Sequence, residues 1–207
     1  MKRKIVLILL VLAGLIVAGS LAYLAFYRPG REANPKFANP SQVRAVRVDY
    51  LDESKSRSEV IALEMQMQQS DVNMVSVSAG RADWSYFLWS GHSDRWAADI
   101  KTSGIDYLME DSARFGKWAH VSAVVDFLAP LYVKSHPETA AISWLGAPSR
   151  NLVSTTELVD GKFGQDLTSM IGQIAADYPV NSITLAEMVY YVDGFGAQDK
   201  AAYVAYT

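Results

Sequence analysis

Three carboxylates stand at or near the ends of short β-branched runs: Asp49 in VRAVRVDYL (43–51), Asp126 closing AHVSAVVD (119–126), and Glu187 directly after SITLA (182–186). Carboxylates ringed around one mouth suit glycoside hydrolysis, in which one protonates the leaving oxygen while another attacks or activates water. They equally suit a structural network, with Asp49 and Asp126 paired to Arg47, Arg81 or backbone amides and Glu187 facing solvent. Strict strand alternation puts Glu187 on the face of Ile183 and Leu185, so it reaches a polar mouth only if the strand ends or bulges at Ala186.

The most unusual segment runs from Arg81 to Trp96 and holds Arg81, Asp83, Trp84, Tyr86, Trp89, His92, Asp94 and Trp96. Indole faces stack on pyranose rings while polar groups meet the hydroxyls, so this composition reads as a sugar-binding wall; an aromatic lid packed on itself is the other reading. Tyr190 and Tyr191, just after Glu187, and Trp144 offer a facing wall. No metal or cofactor is expected. There is no cysteine and no HExxH, and six residues separate His120 from Asp126, about 20 Å along a strand. His120 reads as lumen filling, and His136 before Pro137 as loop order. Without a Gly-x-Ser-x-Gly elbow a serine hydrolase is excluded.

These residues must be placed by the elements around them. A strand over 43–51 precedes a helix that carries Val60, Leu63 and Met67 on one face, with Ser56 and Glu59 as a capping box. A strand at 72–78 leads through the aromatic loop to a helical face of Ile105, Leu108, Met109 and Ser112, stopped by Gly116. After the strand at 119–126 and a second long loop, Phe163, Leu167, Met170, Ile171, Ile174 and Tyr178 give the strongest helical period, ended by Pro179. The 182–186 strand follows, and 199–207 reads as helix. Such β-α alternation predicts a parallel sheet with right-handed crossovers. Alternation puts Arg47, Asp49, Ser76, Ser78, His120, Ser122 and Asp126 on one face opposite a valine-rich one, as in a barrel lumen that turns polar toward its mouth. A flavodoxin-like open sheet is the alternative, although no Gly-rich phosphate turn is present.

The 207 residues carry 19 basic and 22 acidic side chains, a net charge of −3, and the first 28 hold four basic residues and no acid. The remainder is acidic, which argues against nucleic acid as a partner. Residues 5–27 are uncharged, follow Lys2-Arg3-Lys4, and at about 1.5 Å each span a bilayer core of about 30 Å. They read as a membrane anchor with the N-terminus cytoplasmic and the domain outside; a cleaved signal, with Ala18-Gly19-Ser20 at the cut, would make the protein secreted. The organisation is therefore an anchor or signal (1–28), a Pro-rich linker (29–42) and one α/β domain (43–207).

Glu110 to His120 leading into Val124-Val125-Asp126, Ser135-His136-Pro137-Glu138, Tyr178-Pro179-Val180-Asn181-Ser182-Ile183 and Leu185-Ala186-Glu187 together resemble the glycoside hydrolase-like TIM-barrel proteins of bacterial cell surfaces, from about residue 43 to 196. The resemblance implies that 43–207 is the N-terminal half of a (β/α)8 barrel, a partial TIM barrel of four βα units, with further units beyond this sequence. It implies a polysaccharide or oligosaccharide substrate, Glu187 as acid/base at the fourth strand and a nucleophile from an absent seventh strand. A non-catalytic carbohydrate-binding or envelope-scaffold protein keeps the same barrel without the acid pair.

Overall fold

The computed structural model describes residues 42–49, 57–187 and 193–206. The span at 5–27, the linker up to residue 41, Ser56 of the capping box, and Tyr190 and Tyr191 lie outside the described residues. Among the described residues no helix is long and apolar enough to cross a membrane.

In chain order the elements are β1 (Ala45–Val48), α1 (Arg57–Gln69), β2 (Met74–Arg81), the two-residue β3 (Trp84–Ser85), α2 (Ala98–Ser103), α3 (Tyr107–Phe115), β4 (His120–Asp126), α4 (Pro130–Ser135), β5 (Ala140–Ile142), β6 (Pro148–Val153), α5 (Thr155–Val159), α6 (Lys162–Asp177), β7 (Ser182–Ala186) and α7 (Ala197–Tyr206). The fold is mixed α/β with a mostly parallel central sheet. Strands β1, β2, β4 and β7 pair in that order, all parallel, so Val48, Val77, Ala123 and Ile183 form one row and Arg47, Ser76, Ser122 and Ser182 the row beside it. This order is sequential. A flavodoxin-like sheet would begin 2-1-3-4, and the described strands do not.

One row is apolar and its neighbour polar because the pleat sends alternate side chains to opposite faces. Val46, Val48, Val75, Val77, Val121, Ala123, Val125 and Ile183 enter the core with Leu63 and Met67 of α1, Leu108 and Phe115 of α3, and Phe163, Leu167, Met170, Ile171 and Ile174 of α6. Full burial of one such side chain stabilises by about 1.5–3 kcal/mol. All three crossover helices therefore cover the same apolar face. On the polar face, His120 Nε2 meets Ser182 Oγ at 3.0 Å and Ser122 Oγ meets Thr184 Oγ1 at 2.7 Å, a ladder of cross-strand hydrogen bonds.

Helix α6 buries the face its period predicts, whereas α3 does so only in part, at Leu108 and Ser112. Its buried side is Tyr107, Leu108, Asp111, Ser112 and Phe115, while Ile105 and Met109 are exposed. Asp106 sets the phase: its carboxylate accepts the Met109 amide at 3.0 Å as N-cap, and its other oxygen takes the Leu88 amide and the Tyr178 hydroxyl. The helix thus starts after Ile105. The two stretches read as long loops also carry structure of their own, a β2–β3 hairpin and α2 in the first, and α4, the β5–β6 hairpin and α5 in the second.

Burial holds the His120 imidazole below its ordinary pKa of 6.5; burial does the same at His92, helped by the charge of Arg95. Between 6.5 and these lowered values the unfolded chain binds more protons than the folded one, so stability falls as pH falls through that window. The thermal midpoint is expected to drop between about pH 7.5 and about pH 5.5, and His120→Asn to remove part of the drop. A midpoint as pH-dependent in the variant as in the parent would contradict this.

Candidate functional site

The parallel strands bring Asp49, Asp126 and Glu187 to one end of the sheet, the end at which their chain direction finishes. Asp49 directly follows β1. Its Oδ1 accepts hydrogen bonds from Arg47 Nε at 2.8 Å and from Ser78 Oγ of β2. Burial alone would raise its carboxyl pKa, but the bonds from Ser78 and Arg47 and the charge of Arg47 hold it below the ordinary 3.8.

Asp126 closes β4 and is buried. Its Oδ1 accepts no hydrogen bond among the described residues and lies 3.5 Å from Arg47 Nη2. Burial pushes this carboxyl above 3.8; Arg47 pulls it down, Glu187 and Asp49 push it up, and Arg81 pulls it down. These interactions bring two arginines and three carboxylates together at this end of the sheet.

Two departures from alternation complete the group. Ser78 lies opposite Val124, but then Gly80 lies opposite Val125 and Arg81 opposite Asp126, so β2 carries one extra residue. This bulge moves Arg81 from the valine face to the side of Asp126. At β7 the strand ends at Ala186, and Glu187 takes φ +60°, a left-handed conformation unusual for a side chain other than Gly or Asn. The strand thus ends at Ala186, so Glu187 is not bound by alternation to the face of Ile183 and Leu185. Glu187 is nonetheless exposed, so the desolvated carboxyl of the site is Asp126.

The aromatic segment divides. Arg81 and Trp84 face each other across the β2–β3 hairpin, with the guanidinium carbon 5.6 Å from the indole centroid. Arg81 Nε also bonds Asp83 Oδ1 at 2.9 Å, while Asp83 Oδ2 accepts the Leu131 and Tyr132 amides at the start of α4. Asp83 thus locks the hairpin to the loop after β4, and Asp83→Ala is expected to cost about 1–2 kcal/mol in a denaturant titration; a cost near zero would contradict that lock.

Trp89 is fully buried in the core, stacked on His92 at 3.9 Å, and Trp96 donates its indole N–H to the Trp89 carbonyl at 3.0 Å. His92 lies among Arg95, Asp166, Lys162 and Asp94, and Arg95 Nη2 bonds Asp166 Oδ2 of α6 at 2.7 Å. Trp89, His92 and Trp96 therefore belong to a packed plug against α6, while Arg81 and Trp84 lie apart from it on the hairpin. Trp144 is 66% exposed at the tip of the β5–β6 hairpin, beside Leu145. The Phe195 amide, beyond β7, donates to Ile142 of that hairpin at 2.8 Å. Sequence reasoning offered Arg47 only as a structural partner of Asp49 and Asp126, and the structure makes that pairing; it did not single out Ser78, whose shared face with Asp49 was the available signal.

Fold and site together define a mixed α/β protein with a mostly parallel sheet and a carboxylate–arginine cluster at the C-terminal end of its strands. No family model matches the chain, and no curated protein matches it. Among solved structures it is similar to the crystal structure of a hypothetical protein from Ruminiclostridium thermocellum ATCC 27405, at 10% identity and a TM-score of 0.53, over 78% of this chain and 90% of that one. This likeness concerns the fold alone. Among the described residues no group of His, Asp and Glu is arranged to hold a metal ion.

Proposed function

We propose that this is a membrane-anchored, extracytoplasmic glycoside hydrolase-like protein that acts on a polysaccharide through carboxylate acid/base chemistry, with Asp49, Asp126 and Glu187 in the site and Arg81, Trp84 and Trp144 meeting the sugar. The observation that carries this reading is the meeting of the three carboxylates at the C-terminal end of parallel strands, where barrel enzymes keep their reacting groups. Sequential strand order, crossover helices on one face and a polar opposite face support βα units of barrel type. The resemblance to glycoside hydrolase-like barrels supports the chemistry, and the uncharged segment at 5–27 supports the location.

The test is the full-length protein on a panel of envelope and environmental polysaccharides, with released reducing ends and binding measured together. Cleavage supports the hydrolase. Binding without cleavage replaces it with the carbohydrate-binding or scaffold protein, and neither would remove both. Trp84→Ala and Trp144→Ala are each expected to weaken binding about tenfold, the worth of about 1.4 kcal/mol of aromatic contact. Unchanged affinity in both would sink the aromatic assignment.

A further inference from the structure

We propose that Arg47 is the positioning residue that divides the labour of the two strand-end aspartates, fixing Asp49 as the standing anion and leaving Asp126 as the group that takes and gives a proton. This rests on the hydrolase reading for its use in catalysis, but its geometry stands alone. Arg47 gives its two ends unequally. Nε makes a hydrogen bond of 2.8 Å to Asp49 Oδ1, whereas Nη2 stops 3.5 Å from Asp126 Oδ1, beyond an ordinary charge-assisted bond.

Ser78 adds to the asymmetry, because its hydroxyl also donates to Asp49 Oδ1. Both donors stabilise the ionised form of Asp49. Asp126 receives no matching donor on the buried Oδ1, and it is the more buried carboxylate of the two, with 13% of its side chain exposed against 48% for Asp49. A carboxyl that is desolvated and under-donated prefers to hold a proton, and general acid–base catalysis requires a group able to exchange one near working pH. Among the described residues the charged groups that bear on Asp126 are Arg47 of β1, Asp49 directly after it, Arg81 of β2 and Glu187 after β7. The two arginines and the two carboxylates pull in opposite directions, and burial, the largest influence, sets the direction.

An arginine serves this purpose better than a lysine, because its planar fork reaches both aspartates from one rigid position. The Arg47 side chain sits directly before the strand-end Asp49 in the two-residue spacing that puts both on one face. The pair therefore arises from one short strand.

The experiment is a carboxyl-carbon NMR titration of the full chain in detergent micelles with aspartate labelled, which needs no substrate and is therefore independent of whether the protein cleaves a glycan. In the parent, Asp126 is expected to titrate above Asp49, on opposite sides of the ordinary aspartate value. Arg47→Met should raise both apparent values, and Ser78→Ala should raise Asp49 while moving Asp126 little. Arg44→Met, which removes a β1-flanking arginine bonded to Asp71 instead, should move neither. The proposal is overturned if Asp126 titrates at or below Asp49 in the parent, or if the Arg47 variant leaves both in place. Should Arg47→Met fail to fold, Ser78→Ala decides: an Asp49 that does not move refutes the division.

Discussion

On the proposed hydrolase reading, Asp126→Asn in the full-length protein is expected to lower the rate of polysaccharide cleavage by about 10²- to 10⁴-fold, the ordinary worth of a positioned acid or base, with binding nearly unchanged. Asn keeps the size and the buried setting of Asp126 and removes its titration, the exchangeable proton together with the negative charge it leaves behind. The loss should therefore fall on kcat and leave KM in place, because the carboxyl is needed when the glycosidic oxygen departs and not when the sugar docks. Equal cleavage by parent and variant would remove Asp126 from the reaction.

Glu187→Gln is expected to lose cleavage on the same scale, and the backbone there supplies a second reading. The left-handed φ of +60° costs a residue with a side chain about 1 kcal/mol or more, a cost that persists at functional sites where the surroundings impose it. Gln carries that cost unchanged, so it isolates the charge. Glu187→Gly would relieve it and is expected to stabilise the fold by up to about 1 kcal/mol while abolishing the carboxylate chemistry. A gain in stability with a loss of cleavage marks a residue kept for its chemistry; a loss of both would mean that Glu187 serves the fold.

The sheet was legible because its signal is dense. Every parallel strand has valines or isoleucine on one face and serine, threonine or a charged residue on the other, so the alternation fixes both the strand and its buried side. α6 was legible for the same reason, with six apolar residues in phase. What escaped were features set by single residues against the pattern. Alternation carried past Ser78 sends Arg81 into the valine face, and only the extra residue in β2 turns it back. Alternation carried past Ala186 sends Glu187 the same wrong way, and only its left-handed φ ends the strand. Ile105 looked like part of a helical stripe because apolar spacing does not register that Asp106, a better cap, comes next. In the aromatic loop composition could name sugar-stacking residues but not their neighbours, and Trp89 spends its faces on His92 and Arg95. At this end of the sheet, therefore, the local exceptions to periodicity and the candidate functional residues coincide.

That coincidence makes Gly80 the position where the smallest change should do the most structural harm. Gly80 has φ +107°, a conformation close to glycine's own, and a Cβ there would run into the Trp84 carbonyl oxygen and lie 3.1 Å from Ser85 Cα. The obstacle is backbone, held by the β3 pairing, so no side chain can swing aside. Gly80→Ala is expected to cost about 3–5 kcal/mol, from backbone strain and overpacking together. For a domain of this size that lowers the thermal midpoint by about 10 °C. Gly91→Ala is the proper comparison, because Gly91 also has a positive φ, +77°, but nothing lies within 4 Å of its Cβ position. It should cost only about 1 kcal/mol, the backbone part alone. The difference between the two measures the collision that keeps the hairpin folded back on β2. Arg81 and Trp84 flank that turn, so under conditions where the Gly80 variant remains folded its polysaccharide affinity should fall more than in either single Trp→Ala variant. Equal costs at Gly80 and Gly91 would show that the return of β3 does not hold the bulge, and the aim of Arg81 toward Asp126 would need another cause.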